Sequence, residues 1–143
     1  MKNLIIILCL CLFWGSCEKS IDIKSVVERY DLTYEVNSQS PYTGEVIDVY
    51  NNGQRRSQIN YKDGKKHGRY IEYYKNGQLM WEGNYKDNKK HDTWIYREEG
   101  QGERWKEKGY DQKYLNGKKR GKRSYWIINK KGDKYIGDIE HIQ

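Results

Sequence analysis

Few residues of this chain have the type and spacing to do chemistry, and their settings argue against catalysis. Three cysteines fall near the start: Cys9, Cys11 and Cys17. Cys9 and Cys11 lie inside Leu4–Trp14, an unbroken apolar run of eleven residues. A membrane-spanning helix needs about 20 apolar residues, so the run is too short to be one. With Lys2 before it and the small residues Gly15 and Ser16 after it, the run has the layout of a cleavable export signal. Cleavage ahead of Cys17 would leave one cysteine, with none for a disulfide, a metal cluster or a thiol nucleophile. His67 and His91 occupy equivalent places 24 residues apart, and the next equivalent place holds Arg120. A position that accepts arginine is not read as a metal site, so no metal and no cofactor are expected. His141 is read as exposed, and Glu98-Glu99 and Asp138/Glu140 as surface charge. There is no nucleophile elbow and no phosphate-cradling glycine loop, so the chain is not expected to be an enzyme.

Gly15-Ser16-Cys17 after that apolar run resembles the bacterial lipoprotein signal, in which a small residue precedes a cysteine that is lipidated. One departure is Trp14, where such signals usually carry leucine three places before the cysteine. The resemblance implies that residues 1–16 are removed and that Cys17, acylated, becomes the first residue of the mature chain. One acyl chain holds weakly and more than one is needed for a stable anchor; bacterial lipoproteins typically carry several. The expected location is the bacterial cell envelope, at the outer membrane or cell surface rather than the inner membrane.

The remaining chain has the composition of a thin sheet. After Cys17 come 126 residues, enough for one domain, with no alanine and only three leucines. Those are among the best helix formers. All fourteen tyrosines and four of the tryptophans lie in this part, and aromatic and β-branched residues favour strands. A charged fraction of 33 % and a mean hydropathy of −1.13 fit a sheet wet on at least one face. The aromatic density argues against disorder. Without Lys2, 26 basic residues face 20 acidic ones, a net charge of +6. Such a surface attracts anions. Outside the cytoplasm, lipid headgroups and acidic glycans are expected, and nucleic acid is not.

Repetition organises everything after residue 40. Tyr61–Gly68 reads YKDGKKHG and Tyr85–Asp92 reads YKDNKKHD, offset by 24. Asn52-Gly53-Gln54 and Asn76-Gly77-Gln78 share that offset. A third unit has Tyr114–Gly121, YLNGKKRG, with about five extra residues near Glu103–Gln112; a fourth has Lys131-Gly132-Asp133. The pattern Tyr-x-Gly-x-apolar recurs at Tyr42–Val46 and Tyr135–Ile139, with Trp81–Tyr85 as a variant and Gln112 replacing glycine in Tyr110–Tyr114. Each unit reads as two short strands, such as Arg69–Lys75 and Gln78–Lys86. The Asn-Gly turns are expected to be tight, with both residues at positive φ, and the Asp-Gly-Lys-Lys-His-Gly turns longer. Each glycine of the recurring pattern is expected to let an aromatic ring lie flat over the backbone.

These residues resemble the MORN repeat, in the bacterial variant found in tandem in the YwqK-type family, over about Pro41 to Ile139. The resemblance implies an all-β fold: one elongated antiparallel sheet of tandem hairpins. The expected organisation is a signal peptide (1–16), a flexible tether (17–25), an N-terminal cap strand (26–40) and about four repeats (41–143). Proteins of this family are often labelled antitoxins. The lysine pairs Lys65-Lys66, Lys89-Lys90 and Lys118-Lys119 recur at one turn of each unit and should align along one sheet edge. They read as a soluble turn that blunts edge aggregation, or as a ladder contacting anionic headgroups or glycans. The expected function is a membrane-anchored, non-enzymatic interaction surface for a protein or an anionic ligand. The alternative is an antitoxin or immunity protein that neutralises a toxin by direct contact.

Overall fold

The computed structural model describes residues 19–100 and 105–137. The expected signal peptide, Gly15, Ser16 and Cys17 lie outside the described residues, as does His141. Eleven strands form: β1 Ser20–Asp22, β2 Val26–Arg29, β3 Leu32–Glu35, β4 Gly44–Val49, β5 Arg55–Lys62, β6 Lys65–Tyr73, β7 Leu79–Lys86, β8 Lys89–Arg97, β9 Trp105–Leu115, β10 Lys118–Asn129 and β11 Lys134–Gly137. Nine make one sheet in the order β1-β4-β5-β6-β7-β8-β9-β10-β11. Every neighbour from β4 onward is antiparallel and adjacent in sequence. The all-β, hairpin-by-hairpin sheet expected from the repeats is therefore what forms. At about 4.8 Å per strand it is roughly 40 Å across.

The two turn classes exchange the roles expected of them. Asp63-Gly64 (φ 49° and 76°), Asp87-Asn88 (49° and 66°) and Asn116-Gly117 (50° and 81°) have both residues in the left-handed region. They close tight two-residue turns, with Lys62 opposite Lys65 and Lys86 opposite Lys89. At the other end only the glycines turn left-handed, Gly53 at 81° and Gly77 at 82°. There Gly53 N–H donates to Tyr50 O (2.9 Å) and Tyr50 N–H to Gln54 O (2.8 Å), and Tyr74–Gln78 repeats both bonds. These are three-residue loops with a left-handed glycine. Asn52 and Asn76 serve instead through their side chains, accepting from the N–H of Gln54 and Gln78. Lys65-Lys66 and its equivalents consequently lie in strands, not in a long turn.

The 24-residue period also appears in the bonding. Tyr50 O–H donates to Tyr73 O (2.7 Å), and Tyr74 O–H to Arg97 O (2.9 Å). Of the span expected to hold the third unit's extra residues, 105–112 lies in β9, where Lys108 O accepts from Glu98 N–H (2.9 Å), and Glu103 lies outside the described residues.

The N-terminal part departs from expectation twice. Within the expected tether, Ser20–Asp22 pairs in parallel with Glu45–Ile47, and Ile23–Ser25 forms a 3-10 turn. The cap is not one strand but a hairpin, β2–β3, turning at Tyr30-Asp31 with both at positive φ. It docks on the main sheet through Thr33 N–H to Gly64 O and Tyr42 N–H to Thr33 O, each 2.8 Å.

Candidate binding face

Successive strand residues point to opposite faces, so the register assigns every side chain. Ile59, Tyr61, Tyr70, Trp81, Tyr85, Trp94, Tyr96, Tyr110, Tyr114 and Tyr125 share one face. Their rings form a continuous track. Tyr70 stacks on Trp94 at 5.3 Å, Tyr85 meets Trp94 edge-on at 5.0 Å, and Trp81 lies 4.8 Å from Tyr96. Tyr96, Tyr110 and Tyr125 extend it at 5.1 and 5.7 Å. These spacings and tilts are those aromatic pairs prefer. The β2–β3 hairpin covers the Tyr61 end. Between hairpin and sheet lies a cavity of about 470 Å³, lined by Glu28, Asp31, Thr33, Tyr61, Lys66 and Asn88.

The glycine expectation holds at Gly83 but not at Gly44. A Cβ on Gly83 would meet Trp94 Cγ at 2.7 Å, and one on Gly44 would meet the Tyr42 hydroxyl at 2.6 Å. Only a hydrogen fits beneath the Trp94 ring, whereas at Gly44 the nearest obstacle is the Lys19 carbonyl. Gln112 stands where the third unit lacks this glycine. It is 4 % exposed, and its amide donates to the carbonyls of Lys113 and Arg120, both at 3.1 Å.

The lysine pairs do not form one ladder. Lys66, Lys90 and Lys119 sit opposite Tyr61, Tyr85 and Tyr114, on the aromatic face. Lys65, Lys89 and Lys118 point to the other face, Lys65 opposite Lys62 and Lys89 opposite Lys86. Lys90 Nζ lies 4.0 Å from the Trp94 ring centre, 5.1 Å from Trp81 and 5.5 Å from Tyr114. Lys66 Nζ lies 5.6 Å from Tyr85. Burial pushes the Lys90 ammonium below its usual pKa; Glu72 partly opposes this and Lys119 adds to it. Sequence reasoning passed over Arg123, which shares the parity of Tyr125 and stands 4.1 Å over Tyr110. That shared parity was the available signal.

The opposite face keeps its central charges in pairs. Glu82 accepts from Arg97 at 2.7 Å and lies 3.9 Å from Arg69, and Arg97 lies 3.9 Å from Glu107. On the aromatic face, by contrast, Lys66, Lys90, Lys119 and Arg123 have no ion-pair partner among the described residues. His67 lies 3.3 Å from Asp87, and His91 3.7 Å from Asp92. No cluster of potential metal ligands occurs among the described residues. Comparison with protein-family models, curated proteins and solved structures finds no match to this chain.

Proposed function

We propose that this chain is a non-enzymatic bacterial envelope protein, anchored through acylated Cys17, whose aromatic face binds an anionic polymer. The supporting observation is Lys90, half-buried on a platform of three aromatic rings with no carboxylate paired to it among the described residues. A cation held this way gives up hydration that cation–π attraction only partly replaces. An anion arriving from outside supplies the missing partner. Lys66, Lys90 and Lys119 lie on β6, β8 and β10, which sets them roughly 10 Å apart across the sheet. That row suits an extended ligand with evenly spaced charges, its flat apolar surfaces resting on the rings between. An acidic envelope glycan has this chemistry.

Titration of the mature domain with polygalacturonate oligomers, followed by tryptophan fluorescence, tests the reading. Trp81 and Trp94 lie in the expected footprint, so their emission should change on binding. Lys90→Gln should weaken binding by tenfold or more, since a hydrogen bond to a charged group contributes about 1.5–3 kcal/mol. Lys89→Gln, on the other face, should change it little, and raised salt should weaken the wild type. Equal affinity for Lys90→Gln and the wild type, or for a neutral glycan of the same length, would remove this ligand class.

A further inference from the structure

The β2–β3 hairpin turns exposed Val27, Val36 and a strained tip residue, Tyr30, outward beside Arg29, and it lies close in the chain to Cys17. We infer that this hairpin rests on the bilayer interface and seats the sheet against the membrane. The inference rests on the proposed acylation of Cys17.

The chain is fixed from Lys19 onward. The Lys19 carbonyl accepts from the Tyr42 hydroxyl (2.7 Å) and from Glu45 N–H (2.8 Å), and its ammonium pairs with Glu35. Two peptide steps separate Lys19 from Cys17, and fully extended they reach at most about 7 Å. An acylated Cys17 therefore holds Lys19 at the headgroup level, with no slack for the domain to stand off. Glu35 ends β3, so the Lys19–Glu35 pair brings the hairpin to the same level.

The hairpin's two sides differ. Val26, Glu28, Thr33 and Glu35 share the side that carries Thr33 onto the main sheet. Val27, Arg29, Leu32 and Tyr34 share the other side, continued by Val36; Arg29 lies 4.1 Å over the Tyr34 ring and donates to Ser38 O, while Val27 is 41 % exposed and Val36 47 %. Tyr30, at the tip, is 96 % exposed and has φ 51°. Asparagine or glycine suits that backbone; a tyrosine there is strained and stabilises nothing within the domain. A ring with a polar tip is, however, the side chain that settles at a membrane interface. Residues 19–36 carry three basic and four acidic groups, so attraction to anionic lipid does not drive the contact. The occupant is the apolar–polar boundary of the bilayer itself, and the anchor supplies a high local concentration.

The test uses the acylated protein purified from bacterial membranes, its acylation checked by mass, in phosphatidylcholine vesicles containing a spin-labelled headgroup. A fluorophore is attached at Tyr30→Cys or, as the distant control, at Lys131→Cys. Label at position 30 should be quenched at least threefold more than at position 131. A third label, at Lys24→Cys, should lose most of its quenching when Tyr30→Gly is added, although Tyr30→Gly should raise the unfolding temperature in detergent. Equal quenching at 30 and 131 on a protein of acylated mass overturns the seating and leaves the anchor standing. An unacylated mass overturns both.

Discussion

Trp94→Ala should cost about 3–5 kcal/mol, as large aromatic truncations in cores do, a large share of the roughly 5–15 kcal/mol that holds a domain folded. Trp94 is 2 % exposed, donates from Nε1 to Asn84 O (3.0 Å), and touches Tyr70, Tyr85, Trp81 and Tyr114. Among the described residues it is, with Val46, one of the largest side chains fully removed from solvent. A sheet with one thin layer of side chains over it cannot collapse into the gap. Gly83→Ala attacks the same contact from below and should cost about 1–3 kcal/mol by overpacking. The two changes should not add. With the indole gone, the new methyl has room, and replacing glycine within a strand gains roughly 0.5–1 kcal/mol. Gly83→Ala should then be neutral or stabilising in the Trp94→Ala background. Urea unfolding of the four proteins closes the cycle. Additive losses would mean that the ring does not lie over Gly83.

That contact was readable from sequence, because glycine between aromatic positions leaves one physical reason for its place. The hairpin order was readable too, from turn residues recurring at 24. The turn classes were not. Asp-Gly and Asn-Gly both signal two-residue turns, and which of them takes a third residue depends on where the flanking strands stop. Placing Lys65-Lys66 in a turn then hid their alternation, and one basic ladder was expected where the faces divide it. Tyr30-Asp31 is not a common left-handed pair, so the β2–β3 hairpin read as a single strand. β1 is three residues long and packs on no periodic pattern; only its pairing with β4 defines it. The unpaired state of Lys90 depends on which carboxylates reach it across strands, and a linear sequence does not contain that.

The crowding of tyrosines should make the domain sensitive to alkali. Burial, as the largest cause, raises the pKa of Tyr42, Tyr61, Tyr70, Tyr74, Tyr85 and Tyr110 above the usual value. Hydrogen bonds reinforce this where Tyr70 donates to Glu72 (2.6 Å) and Tyr74 meets the Tyr96 hydroxyl (3.1 Å). Each such tyrosine stays protonated in the folded chain after its unfolded counterpart ionises near pH 10. The folded state then holds more protons, and stability falls as pH rises, by about 1.4 kcal/mol per pH unit for each group still protonated. This contribution is fully present below about pH 10 and is lost as pH climbs through the folded values. Lys90 acts in the opposite sense. Its lowered pKa means the unfolded chain holds the extra proton, so stability rises with pH up to about 10.5. Six tyrosines outweigh one lysine, and the net slope should be steeply negative from about pH 10 upward. Urea midpoints between about pH 8 and pH 11, with tyrosine ionisation followed by ultraviolet absorbance, give the slope and its origin together. Ionisation of these six should arrive as one cooperative step coinciding with unfolding, because Tyr61, Tyr70, Tyr85 and Tyr110 share one packed face and Tyr42 and Tyr74 meet it at Tyr61 and Tyr96. Gradual ionisation of these six near pH 10 with no loss of structure would mean that their rings stand separately in water and form no common layer.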